Sequence, residues 1–339
     1  MTKFLGIDFA PLAVPFHRRM ETLAAIHFVF AMVIMSSLTV VLTLYLLFTS
    51  YYWLALLYLT WLAIDRRTPS RGGRRATWFR NLDTWKHLAN YFPIKLFKTS
   101  ALDPTNNYIF AYHPHGILGI GSYAHFGTEG TNFSELFPGI KPYLLIMKIM
   151  LSLPIVHDYY MLPGCCDVSK DSIHYILEEN GKGNAAIILV GGAKESLEST
   201  PGKCKVLIKK RKGFCKMALK HGAHLVPVYS FGEEELYTQV DNPEGSTVRN
   251  IQNYLQKWMG FAIPFFHGRG IFNYNFGLLP HRRAINTFVG SPIPVEKVPE
   301  PTDEQVNALH DLYMQKLKDL FDEYKVQFED YAEKELIYI

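Results

Sequence analysis

From Thr22 to Ile64 the chain runs for 43 residues without an Asp, Glu, Lys or Arg. One membrane-spanning helix needs about 20 apolar residues, so this segment holds enough for two. A break at Phe48-Thr49-Ser50-Tyr51 predicts a helical hairpin. Both flanks are basic, with Arg18 and Arg19 before the run and Arg66, Arg67, Arg71, Arg74 and Arg75 after it. Positive flanks stay cytoplasmic, which a hairpin satisfies and a single span does not. The run is too long for a signal-peptide core, and nothing near it resembles a small-residue cleavage site. A buried helical pair of a soluble core is the competing reading, disfavoured by the length of the run and its lack of charge.

The pattern then changes twice. Arg66 to Lys98 carries nine Lys or Arg and one acid, Asp83. Within it Trp78, Phe79, Leu82, Trp85, Leu88, Ala89 and Phe92 fall near helical spacing. That predicts a basic amphipathic helix lying in a membrane interface against anionic headgroups. A helix packed on a domain is the plainer reading of the same stripe. After Leu102-Asp103-Pro104, short apolar runs alternate with helical stretches. Strands are expected at Tyr108–Tyr112, Ala185–Val190, Leu225–Tyr229 and Ile285–Val289. Helices are expected at Asp171–Glu179 and at Phe214–His221, the second stopped by Gly222. Such alternation predicts an α/β fold with a mostly parallel sheet. Pro227 suggests an edge strand or a strand end. Tyr143 to Leu153 reads as a core helix or an apolar wall beside a site. Thr302-Asp303-Glu304-Gln305 is a capping box opening a long final helix.

Composition narrows the picture modestly. The 339 residues make one large domain or two ordinary ones, and the net charge of +4 is mild. The four cysteines form no CxxC or Cys/His ladder, so neither a structural zinc nor a disulfide framework is implied. A reduced, cytosol-facing domain fits this usage. Charge alone allows a nucleic-acid patch, but the adjoining hairpin argues against one.

Candidate chemistry starts at His113-Pro114-His115-Gly116, where a strand ends and a helix is expected. A helix N-terminus disfavours imidazolium, leaving a neutral His able to accept a proton. Next, a strand runs into Gly191-Gly192-Ala193-Lys194-Glu195, a turn that offers free N–H groups to an anion but is no Walker A loop. Lys209-Lys210-Arg211-Lys212 then precedes Gly213 and a helix, a plausible phosphate cradle. Finally, Leu225-Val226-Pro227-Val228-Tyr229-Ser230-Phe231-Gly232-Glu233 is a strand entering a loop. Taken singly, these are a polar turn, a tight turn, a solvated basic run and a core strand.

In this order they resemble the glycerolipid acyltransferase superfamily. Tyr112-His113-Pro114-His115-Gly116, Phe137-Pro138-Gly139, Val190-Gly191-Gly192-Ala193, Arg211-Lys212-Gly213-Phe214, the Val226-Pro227-Val228 block and Phe266-His267-Gly268-Arg269-Gly270 resemble the type-2 diacylglycerol acyltransferase family. The resemblance runs from about Trp61 to the final helix, and the hairpin is shared. Asp241 to Ser246, Ile251 to Phe261 and Phe272 to Leu278 are most similar to its monoacylglycerol acyltransferase branch. The resemblance implies an α/β, glycerolipid-acyltransferase-like sheet flanked by helices, with an N-terminal transmembrane helical hairpin. The expected divisions are a cytosolic lead at 1–20, the hairpin at 21–66, the interfacial segment at 67–100, the acyltransferase domain at 101–326 and a tail at 327–339.

It further implies acyl transfer from acyl-CoA to 2-monoacylglycerol, giving diacylglycerol, with diacylglycerol or a fatty alcohol as the alternative acceptor. His113 or His115 is the implied base. The superfamily places an Asp five positions after its catalytic His, but here Leu118 and Ile120 stand there, which makes Glu129 the candidate orienting acid. Gly191, Gly192, Glu195, Lys209, Lys210, Arg211, Lys212 and Arg269 are the candidate substrate-binding residues. Where the family has Asn after Phe-Gly-Glu, this chain has Glu234. The implied partners are acyl-CoA, acylglycerol and a lipid bilayer, with no nucleic acid. An oligomer is compatible with all of this. No cofactor is expected, acyl-CoA being a co-substrate. The expected place is the endoplasmic reticulum membrane, multi-pass, with a cytosolic catalytic domain and a possible association with lipid droplets. Two other classes compete. A metal hydrolase would build on the HxH pair with His157, Asp158 or His267, and a membrane-anchored lipid carrier would need only the hairpin.

Overall fold

The computed structural model describes residues 2–4, 6–11, 13–240, 243–259 and 264–339. Its frame is a seven-stranded sheet made of β1 (Ile94–Lys98), β2 (Tyr108–His113), β3 (Lys141–Ile146), β4 (Cys166–Asp167), β5 (Asn184–Leu189), β6 (His224–Phe231) and β7 (Ile285–Val289). Their order across the sheet is β1-β7-β6-β2-β5-β3-β4. Every pairing is parallel except β6 with β7. The four expected strands are present. Tyr143–Leu153 is not a helix: its first half is β3, followed by a loop and a short turn at Met150–Ser152. Periodicity cannot separate a doubly buried parallel strand from a buried helix.

Pro227 also departs from its expected edge position, because β6 lies inside the sheet between β7 and β2. The antiparallel ladder with β7 ends at Val228 opposite Val289, one residue short of the proline, so the missing N–H falls beyond that ladder.

Side chains alternate along the strands into two cores. Phe110, Tyr112, Ile187, Val226 and Val228 share one cluster. Ile109, Ala111, Ala186, Ile188 and Leu225 share the other. The first face is covered by two N-terminal elements, the start of α1 (Phe16–Leu47) and α3 (Asp83–Tyr91). The second is covered by α4 (Gly213–His221) and α5 (Asp303–Lys325). Gly222 ends α4 in the left-handed region at φ 62°, and the Thr302–Gln305 capping box opens α5, as the sequence predicts.

The apolar segment forms two helices broken at Phe48–Tyr51, namely α1 and α2 (Tyr52–Asp65). α1 alone is long and apolar enough to cross a membrane. α2 has 14 residues, about 21 Å at 1.5 Å per residue, which is short of a hydrocarbon core of about 30 Å. The expected pair of spans over 21–66 is therefore reduced to one helix of spanning length. The first half of α1 is part of the domain, with Ala24, Ala25, Phe28 and Val29 buried. The second half and α2 expose Leu38, Val41, Leu44, Leu56, Leu57 and Ile64.

The basic segment at 67–100 is not one interfacial helix. It divides into a turn at Thr68–Ser70, a short helix at Thr77–Arg80, α3 and the edge strand β1. Trp85, Leu88, Ala89 and Tyr91 turn inward from α3, so this stripe packs against the domain.

Candidate active site

Parallel pairing puts the C-terminal ends of β2, β5 and β6 at one edge of the sheet. Sites in parallel α/β folds form at that edge. β2 ends in His113, β5 runs into Gly191 and Gly192, and β6 runs into Gly232 and Glu233.

The two histidines have different settings. His113 is fully buried, and its Nε2 lies 3.1 Å from the Tyr313 hydroxyl. That hydroxyl donates to the Ala111 carbonyl at 3.0 Å, so Nε2 is the donor to the tyrosine oxygen. His113 Nδ1 has no hydrogen-bond partner among the described residues. Burial pulls the His113 pKa down to about 3, so the ring is neutral. His115 is half-buried, and its Nδ1 lies 3.0 Å from the Gly116 carbonyl oxygen. A carbonyl only accepts, so Nδ1 carries the proton and Nε2 keeps a free lone pair. Burial lowers the His115 pKa as well. The expected helix N-terminus plays no part, because residues 114–119 are a loop. Desolvation keeps both rings neutral instead.

Glu129 is engaged elsewhere. Its carboxylate lies 2.9 Å from Arg80 and accepts from the Ser134 backbone N–H, and neither imidazole is among its partners. In this structure the group beside His115 Nδ1 is the Gly116 carbonyl, and Glu129 touches neither imidazole. Arg80, 1 % exposed, also donates to the carbonyls of Phe126, Thr128 and Pro163, so this pair is a buried structural joint.

Glu195, a candidate substrate contact, is buried. It accepts from the backbone N–H of His115 at 2.5 Å and of Leu207 at 2.7 Å. It therefore ties the histidine loop to the strand-like lead into the basic run. Burial raises its carboxyl to about pH 7.

Sequence reasoning missed Glu233 and Tyr112 as parts of the site. Glu233 is buried, takes the Tyr112 hydroxyl at 3.1 Å and the Gly121 N–H at 3.0 Å, and is likewise raised by burial to about 7. A Cβ on Gly116 would lie 2.8 Å from Glu233 Cγ, and one on Gly121 2.4 Å from its Oε2. Those two glycines make room for the carboxylate. An acid closing a strand of apolar residues is the signal that marked it. Glu234, also buried, is raised by burial and by its acidic neighbours.

The cationic candidates separate. A cavity of about 920 Å³ is lined by Lys194, Lys203, Lys205, Lys210, Arg211 and Arg249 against Glu198, which pairs with Arg249, and Glu244, with Leu197 and Leu207 as apolar wall. Arg211 reaches the Gly191 carbonyl at 3.5 Å, which puts this cavity next to the turn after β5. Lys210 and Arg211 of the basic run and Lys194 of the glycine turn were anion-binding candidates in the sequence, whereas Lys203, Lys205 and Arg249 were not. Lys209 and Lys212 are not in its lining, and Lys212 Nζ bonds Asn307 at 2.6 Å. Arg269 is buried 4.7 Å from the Tyr274 ring centroid, bonds the Gly270 carbonyl and does not line this cavity. At Gly192 an added Cβ would meet nothing within 4 Å, so open space adjoins that turn, although φ of 59° favours glycine.

The metal reading needs ligands around the HxH pair. Among the described residues, the grouping able to hold an ion is Asp65, His157 and Asp158, which includes neither His113 nor His115. The Arg74 guanidinium already pairs with both of its carboxylates.

The site thus combines a neutral histidine at the sheet edge, a cation-rich cavity at the turn after β5 and an apolar helix of spanning length. The sequence profile of the Diacylglycerol acyltransferase family matches residues 44–338, and the chain belongs to that family. It is 48% identical over 324 residues to 2-acylglycerol O-acyltransferase 1 of Homo sapiens and of Bos taurus, covering 96% of this chain and 97% of each relative. It is 46% identical to human Diacylglycerol O-acyltransferase 2, covering 92% of this chain and 80% of the relative. Among solved structures, the 1-acyl-sn-glycerophosphate acyltransferase PlsC of Thermotoga maritima covers 88% of the chain at 12% identity, with a TM-score of 0.38, a likeness too slight to bear on chemistry. In the branch motif, Asp241, Asn242, Gly260 and Phe261 lie outside the described residues.

Proposed function

We propose that this chain moves a fatty acyl group from acyl-CoA to the free hydroxyl of 2-monoacylglycerol, giving diacylglycerol, with His115 as general base. Family membership and the relatives' names support acyl transfer to mono- or diacylglycerol. The observation that carries the choice of base is the Nδ1–H of His115 held by the Gly116 carbonyl, with Nε2 left free at a half-buried position.

In this reading the acceptor hydroxyl gives its proton to His115 Nε2 as its oxygen attacks the thioester carbonyl. The tetrahedral oxyanion forms beside the open Gly191-Gly192 turn, where backbone N–H groups can receive it. Its collapse breaks the carbon–sulfur bond, and the imidazolium returns the proton to the departing thiolate, leaving an ester and free CoA. His113 is the positioning residue beneath, fixed through Tyr313 to α5. The cation-rich cavity takes the CoA phosphates, with Lys194 in the turn motif and Arg211 against the Gly191 carbonyl. No cofactor enters the scheme.

The exposed apolar half of α1 and α2 enters a bilayer. The proposed site is the endoplasmic reticulum membrane, or a lipid-droplet surface, with the catalytic domain cytosolic. Because α2 is short of a full span, the hairpin enters and returns on one side. Acceptor and product are insoluble in water, and this anchor lets them move laterally to and from the sheet edge.

The test is purified His115→Ala and His113→Ala in detergent, assayed with labelled oleoyl-CoA and a panel of acceptors. His115→Ala is expected to lose about 10²–10⁴-fold in kcat/KM, the usual worth of a general base. Full activity in His115→Ala overturns the assignment of the base, and full activity in both variants overturns any histidine base. Turnover with diacylglycerol but not 2-monoacylglycerol overturns the acceptor assignment.

A further inference from the structure

A second cavity lies at the foot of the hairpin. Its volume is about 860 Å³, and it shares no lining residue with the cavity beside the active site. Arg66, Arg67 and Arg71 reach it from the segment following α2, and Lys148 from the loop following β3. Arg71 is paired with Glu179 at 3.0 Å. Arg66, Arg67 and Lys148 have no acidic side chain and no side-chain hydrogen bond among the described residues.

The facing groups are few. Asp171 and Glu179 line the cavity, and His174 shares Glu179 at 3.5 Å. Four cations thus oppose two carboxylates, an excess of two positive charges. Such an excess, held together without partners, favours a doubly charged anion. A phosphomonoester carries about 1.5 to 2 negative charges near neutral pH and offers three acceptor oxygens to forked guanidinium groups.

The other wall is apolar, formed by Leu59, Leu62 and Ala63 of α2 with Leu151. Leu56, one turn before Leu59 and 49% exposed, extends this wall along α2. A soluble phosphate has no use for that wall. An amphiphile with a charged head and long chains matches both sides, and the cations follow the last apolar turn of α2, at the depth of lipid phosphates.

We propose that this cavity binds a membrane phospholipid whose headgroup is a phosphomonoester, seated by Arg66, Arg67 and Lys148 with its acyl chains along Leu59 and Leu62. The proposal rests on reading the hairpin as membrane-inserted. Bound there, the lipid joins the hairpin, through Arg66 and Arg67, to the catalytic domain, through Lys148.

The experiment places the full chain in phosphatidylcholine nanodiscs containing a trace of photoactivatable phosphatidate. Crosslinks are expected in peptides covering 59–71 and 148–152. Unlabelled phosphatidate competes, while phosphatidylserine at the same fraction and soluble glycerol 3-phosphate do not. The double variant Arg66→Gln/Lys148→Gln loses about tenfold or more of the labelling, the scale expected for two charge-assisted hydrogen bonds. Unchanged labelling in that variant, crosslinks spread along the whole hairpin, or equal competition by phosphatidylserine overturns the site. Competition by glycerol 3-phosphate overturns the lipid as its occupant. Flotation of the same protein on pure phosphatidylcholine vesicles separates the two readings. Failure to float removes the membrane insertion itself, while flotation without site labelling removes only this cavity's role.

Discussion

At the scale of single residues, the chemistry depends on where protons rest. Burial lowers the His115 pKa below its ordinary 6.5, so the ring stays a free base to lower pH than an exposed histidine. The acid limb of kcat/KM is accordingly expected below pH 6.5, and a limb at or above that value contradicts the assignment. Glu233 works in the opposite sense. Its carboxyl is raised by burial from 4.5 to about 7 in the fold, so the unfolded chain ionises first as pH rises. Stability contributed by this group is whole below about pH 4.5, falls between about 4.5 and 7, and stays reduced above. Glu233→Gln keeps an acceptor for Tyr112 and Gly121 and removes the charge. It is expected to raise the melting temperature above pH 7 and leave it nearly unchanged below 4.5; equal shifts at both ends would refute this. The sequence located His113 and His115 through their motif, but not their division of labour. Which nitrogen holds the proton depends on a Gly116 carbonyl and on Tyr313, 200 residues away from His113. The first is a backbone group that any residue at 116 would supply and so leaves no mark in the sequence, and the second is too distant for a local pattern to encode.

Among elements, the joint between the short helix Thr77–Arg80 and the segment Phe126–Glu129 carries a charge pair of a buried arginine and a half-buried glutamate. Removing one partner of such a pair costs about 3–5 kcal/mol, since the other is left buried and unpaired. Arg80→Leu is expected to lose stability on that order in denaturant titration. Glu129→Gln is expected to lower the melting temperature while leaving the acid limb of the pH profile in place. A displaced limb would restore Glu129 as the orienting acid. The same joint shows why the basic segment was hard to read. Its arginines look like a membrane-facing stripe in sequence, yet Arg80 satisfies three carbonyls in the interior. Strands β2, β5, β6 and β7 were legible because short apolar runs were bounded by turn residues. β3 was not, because its run continues into an apolar loop with no alternation.

For the whole molecule, the open question is what covers the greasy arms. Val41 is 63% exposed and Leu57 62%. A lysine at the centre of a membrane helix costs about 2.5–3.5 kcal/mol. Val41→Lys/Leu57→Lys is expected to reduce vesicle retention in flotation while leaving the fluorescence of buried Trp85 unchanged. Unaltered retention would mean that these arms do not enter lipid. α1 adds a mechanical consequence. It is one continuous rod of 32 residues, about 48 Å long, with a π-helical turn at Phe30–Ile34 near its middle. Its first half is clamped to the domain by packing and by the Glu21–Arg282 ion pair, while its second half stands in the apolar arms. A rod held at both ends turns membrane thickness into tilt. On the proposed membrane-inserted reading the helix serves as a gauge: bilayers of different thickness set the sheet edge at different angles, and with it which lipids come within reach of the proposed base His115.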